Sequence, residues 1–310
     1  MSGERILLTG ASGFVGRHLL RDLAGRGYLV RTAGRGAPPA GPAGDHATIG
    51  DLGAPVDWRP ILEGVDHVVH AAGLAHADGT QPDARYRAVN AEATLALAHA
   101  ASAAGTRRFV FLSSIRAQSG PTGDAPLHEA DPPMPTDAYG RSKLAAERGL
   151  AEIDIDWIAL RPVLVYGPGV KANMAALIRL ARLPLPLPLG ALRAERSLLA
   201  VENLAAAVAF ALDAGCPARR SYIAADPEPL SVAQMLAAMR AGLGRKPGLV
   251  PVPLSLLALA ARLTGRNGAY ERLAHGLVAS PAALIAAGWR PPVATRAALG
   301  RLAAQATDAG

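Results

Sequence analysis

The sequence predicts an α/β protein: a doubly wound parallel sheet with helices on both faces, followed by a smaller, mostly helical C-terminal unit. Three observations predict it. Short apolar runs alternate with longer helix-period segments through the first 165 residues; a glycine-rich turn joins the first run to the first helix; and after Tyr166 strands give way to short helices broken by Gly and Pro. The chain has 310 residues, half of them hydrophobic, which is enough to bury a sizeable core.

In chain order, RILLT (5–9) is a strand and GFVGRHLLRDLAGRG (13–27) a helix. The strands YLVRTA (28–33) and VDHVVHAA (65–72) follow, then the helix NAEATLALAHAASAAG (90–105) and the strand RRFVFLSS (107–114). DAYGRSK (137–143) opens another helix. DWIALRPVLV (156–165) reads as a single strand, with Pro162 near its end, where a missing N–H costs least. Beyond it KANMAALIRLAR (171–182) is helical, whereas LPLPLPLG (183–190) cannot be, because proline recurs at every second position. VENLAAAVAFALDAG (201–215) is a helix leading to the strand SYIAA (221–225), and Leu230, Ser231 and Gln234 form a hydrophobic N′ position with a Ser-x-x-Gln capping box. Residues 1–169 are expected to form the first domain, with 201–226 returning to its sheet. Residues 170–200 and 227–310 make the second.

Composition excludes several classes. The net charge is +7, but the basic residues are dispersed single Arg, and six Tyr and four Phe offer little stacking surface, so nucleic acid is not an expected partner. An anionic small molecule accounts for the charge as well. No apolar run reaches the roughly 18 residues of a membrane span, since LLAVENLAAAVAFAL is broken at Glu202 and Asn203. No signal-peptide pattern opens the chain, and Cys216 is alone, so the expected setting is cytoplasmic. His67, His70 and His76 lack the carboxylate or Cys partners of a metal site, and positions 67 and 70 face opposite sides of a strand; no metal is expected. Neither a Gly-x-Ser-x-Gly elbow nor a Walker loop is present.

The chemistry gathers at the strand ends. TGASGFVG (9–16) stands between the first strand and first helix, with Gly10, Gly13 and Gly16 spaced one residue more widely at the start than the Gly-x-Gly-x-x-Gly dinucleotide fingerprint. Such glycines permit a tight turn and a close approach to pyrophosphate, and the helix N-terminus offers N–H groups and positive dipole. The second strand runs into Gly34, Arg35 and Gly36 without the acid that would hold a ribose 2′-OH, which favours NADP(H) over NAD(H). Ser113 and Ser114 end a buried strand at the edge where ligands bind in open α/β sheets. Tyr139 and Lys143, four apart on a helix, can share one site. A phenol of ordinary pKa near 10 is a poor base at neutral pH, a nearby lysine cation favours its phenolate, and a serine hydroxyl can bind the oxygen whose proton moves.

These segments together resemble the extended short-chain dehydrogenases/reductases, specifically the NAD(P)-dependent nucleotide-sugar epimerase/dehydratase group, over almost the whole chain. The resemblance implies a Rossmann-type domain with Gly10, Ser12, Gly13, Phe14, Val15 and Gly16 as the cofactor loop, Arg35, Asp51 and Leu52 on the adenine side, and Ala71, Ala72, Gly73 and Asn90 over the ribose. Ala93 stands where the motif Asn-x-x-Gly-Thr usually has glycine. Ser114, Tyr139 and Lys143 match the catalytic trio, and RPVLVYGPG (161–169) matches the segment that follows it. Asn173 and Arg196 occupy the places of groups that bind the nucleotide diphosphate. The segment RKPGLVPVPLSLLALAARLTG resembles bacterial UDP-N-acetylhexosamine 4-epimerases and 4-keto reductases. The Thr-Asp-Glu triplet of the dehydratases is replaced by Ser114, Ile115 and Arg116, which argues against dehydration.

The implied activity is hydride transfer between a nicotinamide and C4 of a UDP-hexose, with 4-epimerisation first and NADPH-dependent 4-keto reduction as the alternative. A non-catalytic nucleotide-sensing protein on the same fold is the reading from another class. NAD and NADP both remain open, and the resemblance points to a homodimer.

Overall fold

The computed structural model describes residues 3–42, 44–74, 81–170, 172–265 and 267–305. The chain begins with β1 (Arg5–Thr9), α1 (Phe14–Gly25), β2 (Leu29–Gly34) and β3 (Asp45–Thr48), then a short α2 (Arg59–Leu62) and β4 (His67–His70). Next come α3 (Asp83–Arg87), a π-turn at Ala88–Glu92, α4 (Ala93–Ala103), β5 (Arg108–Leu112), α5 (Ala138–Ala151), β6 (Asp156–Pro162) and β7 (Leu164–Tyr166). The remainder is α6 (Ala172–Arg182), β8 (Glu195–Arg196), β9 (Leu198–Ala200), α7 (Val201–Leu212), β10 (Arg220–Ala224), β11 (Leu230–Ser231), α8 (Val232–Gly242), α9 (Leu254–Leu263), α10 (Asn267–Ala274), α11 (Ala282–Ala287) and α12 (Thr295–Gln305).

Among the described residues, seven strands form one sheet in the order β10-β6-β5-β4-β1-β2-β3, parallel at every pairing. Strand order reverses between β1 and β4, so the crevice at the carboxyl ends of these strands is the topological switch point. Both faces are covered. Leu7, Val68, Phe109, Phe111, Trp157 and Ala159 pack on one side, whereas Ile6, Leu8, Val69, Val110, Ile158 and Leu160 pack on the other. This is why the parallel strands read as continuous apolar runs instead of alternating ones.

The β6 segment ends differently from the sequence reading. The continuous strand expected over 156–165 breaks at Val163: β6 pairs with β5 and β10, whereas β7 leaves to pair with β9 in a separate two-stranded sheet. The Val163 amide donates to Ala224 in β10, so the Pro162 nitrogen faces the β5 side, where β5 has already ended at Leu112. Proline stands at the last residue of β6, where its missing N–H ends the ladder instead of interrupting it. β3, an edge strand without a clear apolar alternation, is the strand that the resemblance implies before Asp51 and Leu52, and it ends three residues earlier, at Thr48.

The helix around Asn90 begins earlier than its apolar pattern, at Asp83, and passes through the π-turn that contains Asn90. The capping box at α8 forms as its sequence predicts: the Ser231 amide donates to Gln234 Oε1 (2.8 Å) and the Gln234 amide to Ser231 Oγ (3.3 Å). A third core gathers Tyr166, Met174, Ile178, Leu198, Met235 and Leu299, away from the main sheet.

Candidate active site

At the switch point Gly10 has φ +74°, and a Cβ there would lie 2.6 Å from the Ala72 nitrogen. A Cβ on Gly16 would run into the Gly10 carbonyl. The loop can pack between β4 and α1 only with glycine at these positions. Helix α1 starts at Gly13 with no side-chain cap and no acid in its first turn, which leaves its first amides and positive dipole for an anion. Ser12 is exposed and Phe14 and Val15 half-buried at this end. His18 Nε2 meets the Pro168 carbonyl (3.0 Å), and Phe14 packs edge-on against His18, so the loop is tied to the Tyr-Gly-Pro segment.

Thr9 holds the end of β4 in place. Its hydroxyl accepts from the Ala72 amide (3.2 Å) and meets His70 Nδ1 at 2.7 Å. Full burial, with the Lys143 cation adding to it, pushes His70 down to about 3, so its ring is neutral at working pH. Ala71, Ala72 and Gly73 then run beside the glycine loop. A Cβ on Gly73 would lie 2.7 Å from Asn90 Oδ1 and 3.4 Å from Lys143 Nζ, so these three groups converge. Asn90 accepts from the Leu74 amide (2.8 Å) and donates to the Leu74 carbonyl and to Ser142 Oγ (both 3.1 Å).

The catalytic candidates face one another across β5 and α5. Ser114 follows β5, and its Oγ accepts from the Arg116 amide at 3.1 Å. Tyr139 lies in the first turn of α5, where the Ser114 hydroxyl acts on its phenol. Its ring meets Tyr86 edge-on, with centroids 6.3 Å apart. Burial raises the Tyr139 phenol above its ordinary value, the Ser114 bond and the Arg116 charge act in the opposite direction, and Asp137 reinforces the rise. Lys143 donates to the Leu112 carbonyl (2.8 Å) and sits 4.6 Å over the Phe111 ring. Its burial pushes it down to about 8, opposed by the Glu147 charge. Arg116 is thus a cation that favours the phenolate, and the Lys143 ammonium is bonded to the strand carbonyl.

Beyond the ends of β2 and β3, Arg35 is exposed and its Nη1 is 3.8 Å from Asp51 Oδ2. Asp51 stands three residues beyond the end of β3, with Leu52 beside it packed against the core. The Gly53 amide (2.7 Å) and then Arg85 Nη2 (2.6 Å) hold its carboxyl below the usual range. Arg85 belongs to no motif, and its sequence separation from Asp51 hides the pairing. Asn173 is exposed in the first turn of α6. Arg196, in β8, gives Nη2 to the Leu273 and His275 carbonyls near the end of α10, and burial pushes its guanidinium down.

Sequence reasoning also missed the groups beneath the trio. Glu147, one turn beyond Lys143, accepts Arg161 Nε (3.1 Å) and Nη2 (2.6 Å). It also accepts Ser113 and Ser221, and Arg161 Nη1 donates to Gln118 (2.8 Å). The four-residue spacing from Lys143 was the only local signal. Among the described residues no cluster of His, Cys, Asp or Glu could hold a metal ion, and no helix is long and apolar enough to cross a membrane. His76 lies outside the described residues.

Comparison with known proteins matches this geometry to a family. Residues 6–224 fit the model of the NAD dependent epimerase/dehydratase family. The UDP-glucose 4-epimerase of Vibrio cholerae is 34% identical over 300 residues, covering 93% of this chain and 91% of that protein. A 3-diazoavenalumate denitrifying reductase of a Streptomyces species is 32% identical over 307 residues, covering 93% and 96%. The solved structure of MoeE5 in complex with UDP-glucose and NAD superposes with a TM-score of 0.72 at 26% identity, covering 99% of both chains. With its switch-point crevice, its glycine loop and this breadth of matching sequence, the chain belongs to the NAD-dependent epimerase/dehydratase family and is an enzyme of the extended short-chain dehydrogenase/reductase type.

Proposed function

We propose that this enzyme acts at C4 of a UDP-hexose and that its reaction is 4-epimerisation. The observation that carries the reading is the convergence of three groups: the Ser114 hydroxyl acts on the Tyr139 phenol, and Lys143 is fixed one turn further along α5 beside Gly73 and Asn90. The cofactor, when bound, supplies the hydride acceptor and donor. Tyr139 takes the C4 hydroxyl proton and later returns it, while Ser114 holds the same oxygen. Lys143 and Asn90 hold the ribose, and Lys143 keeps a cation near the reacting oxygen. The loop from Gly10 to Gly16, with Ser12, Phe14 and Val15, takes the pyrophosphate, and Asp51 and Leu52 take the adenine. Residues 170–200 and 227–310 form the substrate domain, where Asn173 and Arg196 meet the UDP diphosphate. The full-length likeness to the Vibrio cholerae epimerase supports this reading.

A second reading, NADPH-dependent reduction of a 4-keto sugar, draws support from Arg35 and Arg85. These two guanidiniums share the single Asp51 carboxylate, which leaves net positive charge where a 2′-phosphate would lie.

The deciding experiment incubates the purified protein with UDP-glucose, UDP-N-acetylglucosamine and a 4-keto-6-deoxy UDP-sugar, with and without added NADPH. Epimerisation without added cofactor supports the first reading and rejects the reductase. NADPH consumption confined to the keto-sugar rejects the epimerase. Cofactor binding without turnover of any of the three would support a nucleotide-sensing protein instead.

A further inference from the structure

Three consecutive residues at the end of β5 are each gripped by a different side chain from one stripe of α5. Lys143 Nζ donates to the Leu112 carbonyl (2.8 Å), Ser113 Oγ donates to Glu147 Oε1, and the Ser114 hydroxyl acts on the Tyr139 phenol. Positions 139, 143 and 147 are four apart and therefore lie on one side of the helix. Two of the three rungs use residues of the catalytic trio. The third joins two residues with no assigned role.

That third rung is the most firmly anchored. Glu147 is only 4% exposed, and its two oxygens accept Ser113 from β5's end, Arg161 from β6 and Ser221 from β10 (3.0 Å). Arg161 passes the connection on to Gln118, four residues past Ser114. A buried carboxylate is costly unless its lone pairs are filled, and here donors from three neighbouring strand segments fill them. Apolar packing alone could hold α5 against the sheet, but it would fix the position of the helix along β5 poorly. Directional bonds to three strand segments fix it, because sliding the helix would strip several donors at once.

We infer that Glu147 and Ser113 are positioning residues for the reaction: through the rung they form, they hold α5 at the height on β5 that brings the Tyr139 phenol to the Ser114 hydroxyl. Neither need touch substrate or cofactor. The inference rests on the proposed oxidoreductase chemistry for its kinetic readout, though not for its spectroscopic one.

Ser113→Ala tests it most cleanly, because it removes one rung without leaving a buried charge unpaired. The expected result is a kcat lowered about tenfold, as misplacement of reacting groups costs rate, with KM and the cofactor Kd within about twofold of wild type. Ser113→Thr, which keeps the hydroxyl, restores kcat to within about threefold. The pair Glu147→Met with Arg161→Met removes both charges together and keeps kcat low in the folded protein. A wild-type kcat in Ser113→Ala overturns the inference, as does a fall in kcat matched by an equal rise in cofactor Kd.

If the wild type turns over no nucleotide sugar, the functional reading fails and the rung is read by ultraviolet difference titration of Tyr139, taken as wild type minus Tyr139→Phe. The groups bearing on that phenol include Ser114, Asp137, Arg116 and Tyr86. Ser113→Ala should move its titration upward as the Ser114 bond loosens, and an unmoved titration overturns the inference.

Discussion

Arg116 Nη2 donates to Asp137 Oδ2 at 2.5 Å, and the other oxygen of Asp137 caps helix α5 by accepting from the Gly140 amide at 2.7 Å. The ion pair joins the segment after Ser114 to the turn that carries Tyr139. Arg116 thus braces the start of the Tyr139 helix. Asp137→Ala should therefore lower stability by about 1–2 kcal/mol through the lost cap and the unpaired guanidinium. Asp137→Asn, which keeps a capping oxygen, should lose less than half as much. Chemical denaturation of the two variants checks the order.

Gly10→Ala tests the glycine loop. Its added Cβ would lie 2.6 Å from the Ala72 nitrogen at a φ of +74°, which a side chain rarely adopts. A loss of at least about 2 kcal/mol in stability is expected, together with lost binding of NADH and NADPH, as read by thermal unfolding with and without cofactor. Binding equal to wild type would contradict the close packing of this loop against β4.

On the NADPH reading, Arg35 and Arg85 would hold the 2′-phosphate. Arg35→Ala and Arg85→Ala should each weaken NADPH binding about tenfold, corresponding to the loss of one charge-assisted contact. NADH binding should stay within about threefold. Fluorescence titration of the reduced cofactors measures both, and tighter binding of NADH than NADPH by the wild type would remove the case for NADP.

His70 makes stability depend on acidity. Its folded value of about 3 lies below the ordinary 6.5 of an unfolded histidine, so between these pH values the unfolded chain binds the extra proton. Above pH 6.5 the group has no effect; as pH falls from 6.5 towards 3, stability is lost. His70→Gln should lose less stability than wild type between pH 7 and pH 4, by an amount on the order of 3 kcal/mol. Urea unfolding at the two pH values gives the difference. A variant that loses as much as wild type would place the acid sensitivity elsewhere.

How much of the site could be read from sequence follows from how local each signal is. The glycine loop, Ser114 and the Tyr139–Lys143 pair were legible because each is a short pattern at a strand end or helix start. Asn90 was legible, but the π-turn around it was not, since nothing in AVNAE distinguishes one extra residue per turn. Glu147 carried only its spacing from Lys143; its partners Ser113, Arg161 and Ser221 come from three strand segments whose adjacency the sheet order alone decides. Arg85 was hidden for the same reason, lying 34 residues from Asp51. The break at Pro162 needed knowledge of where the neighbouring strand stops.

The proposed reaction has Tyr139 move the proton of the C4 hydroxyl of a UDP-hexose while the C4 hydrogen leaves as hydride. Proton NMR of UDP-glucose and UDP-N-acetylglucosamine, incubated with the wild type and with Tyr139→Phe, follows inversion at C4 directly. The account predicts that the wild type produces the C4 epimer of one of these sugars without added cofactor, and that Tyr139→Phe is slower by at least about a hundredfold, the contribution expected of a positioned acid–base group. Equal rates for the two proteins would contradict it.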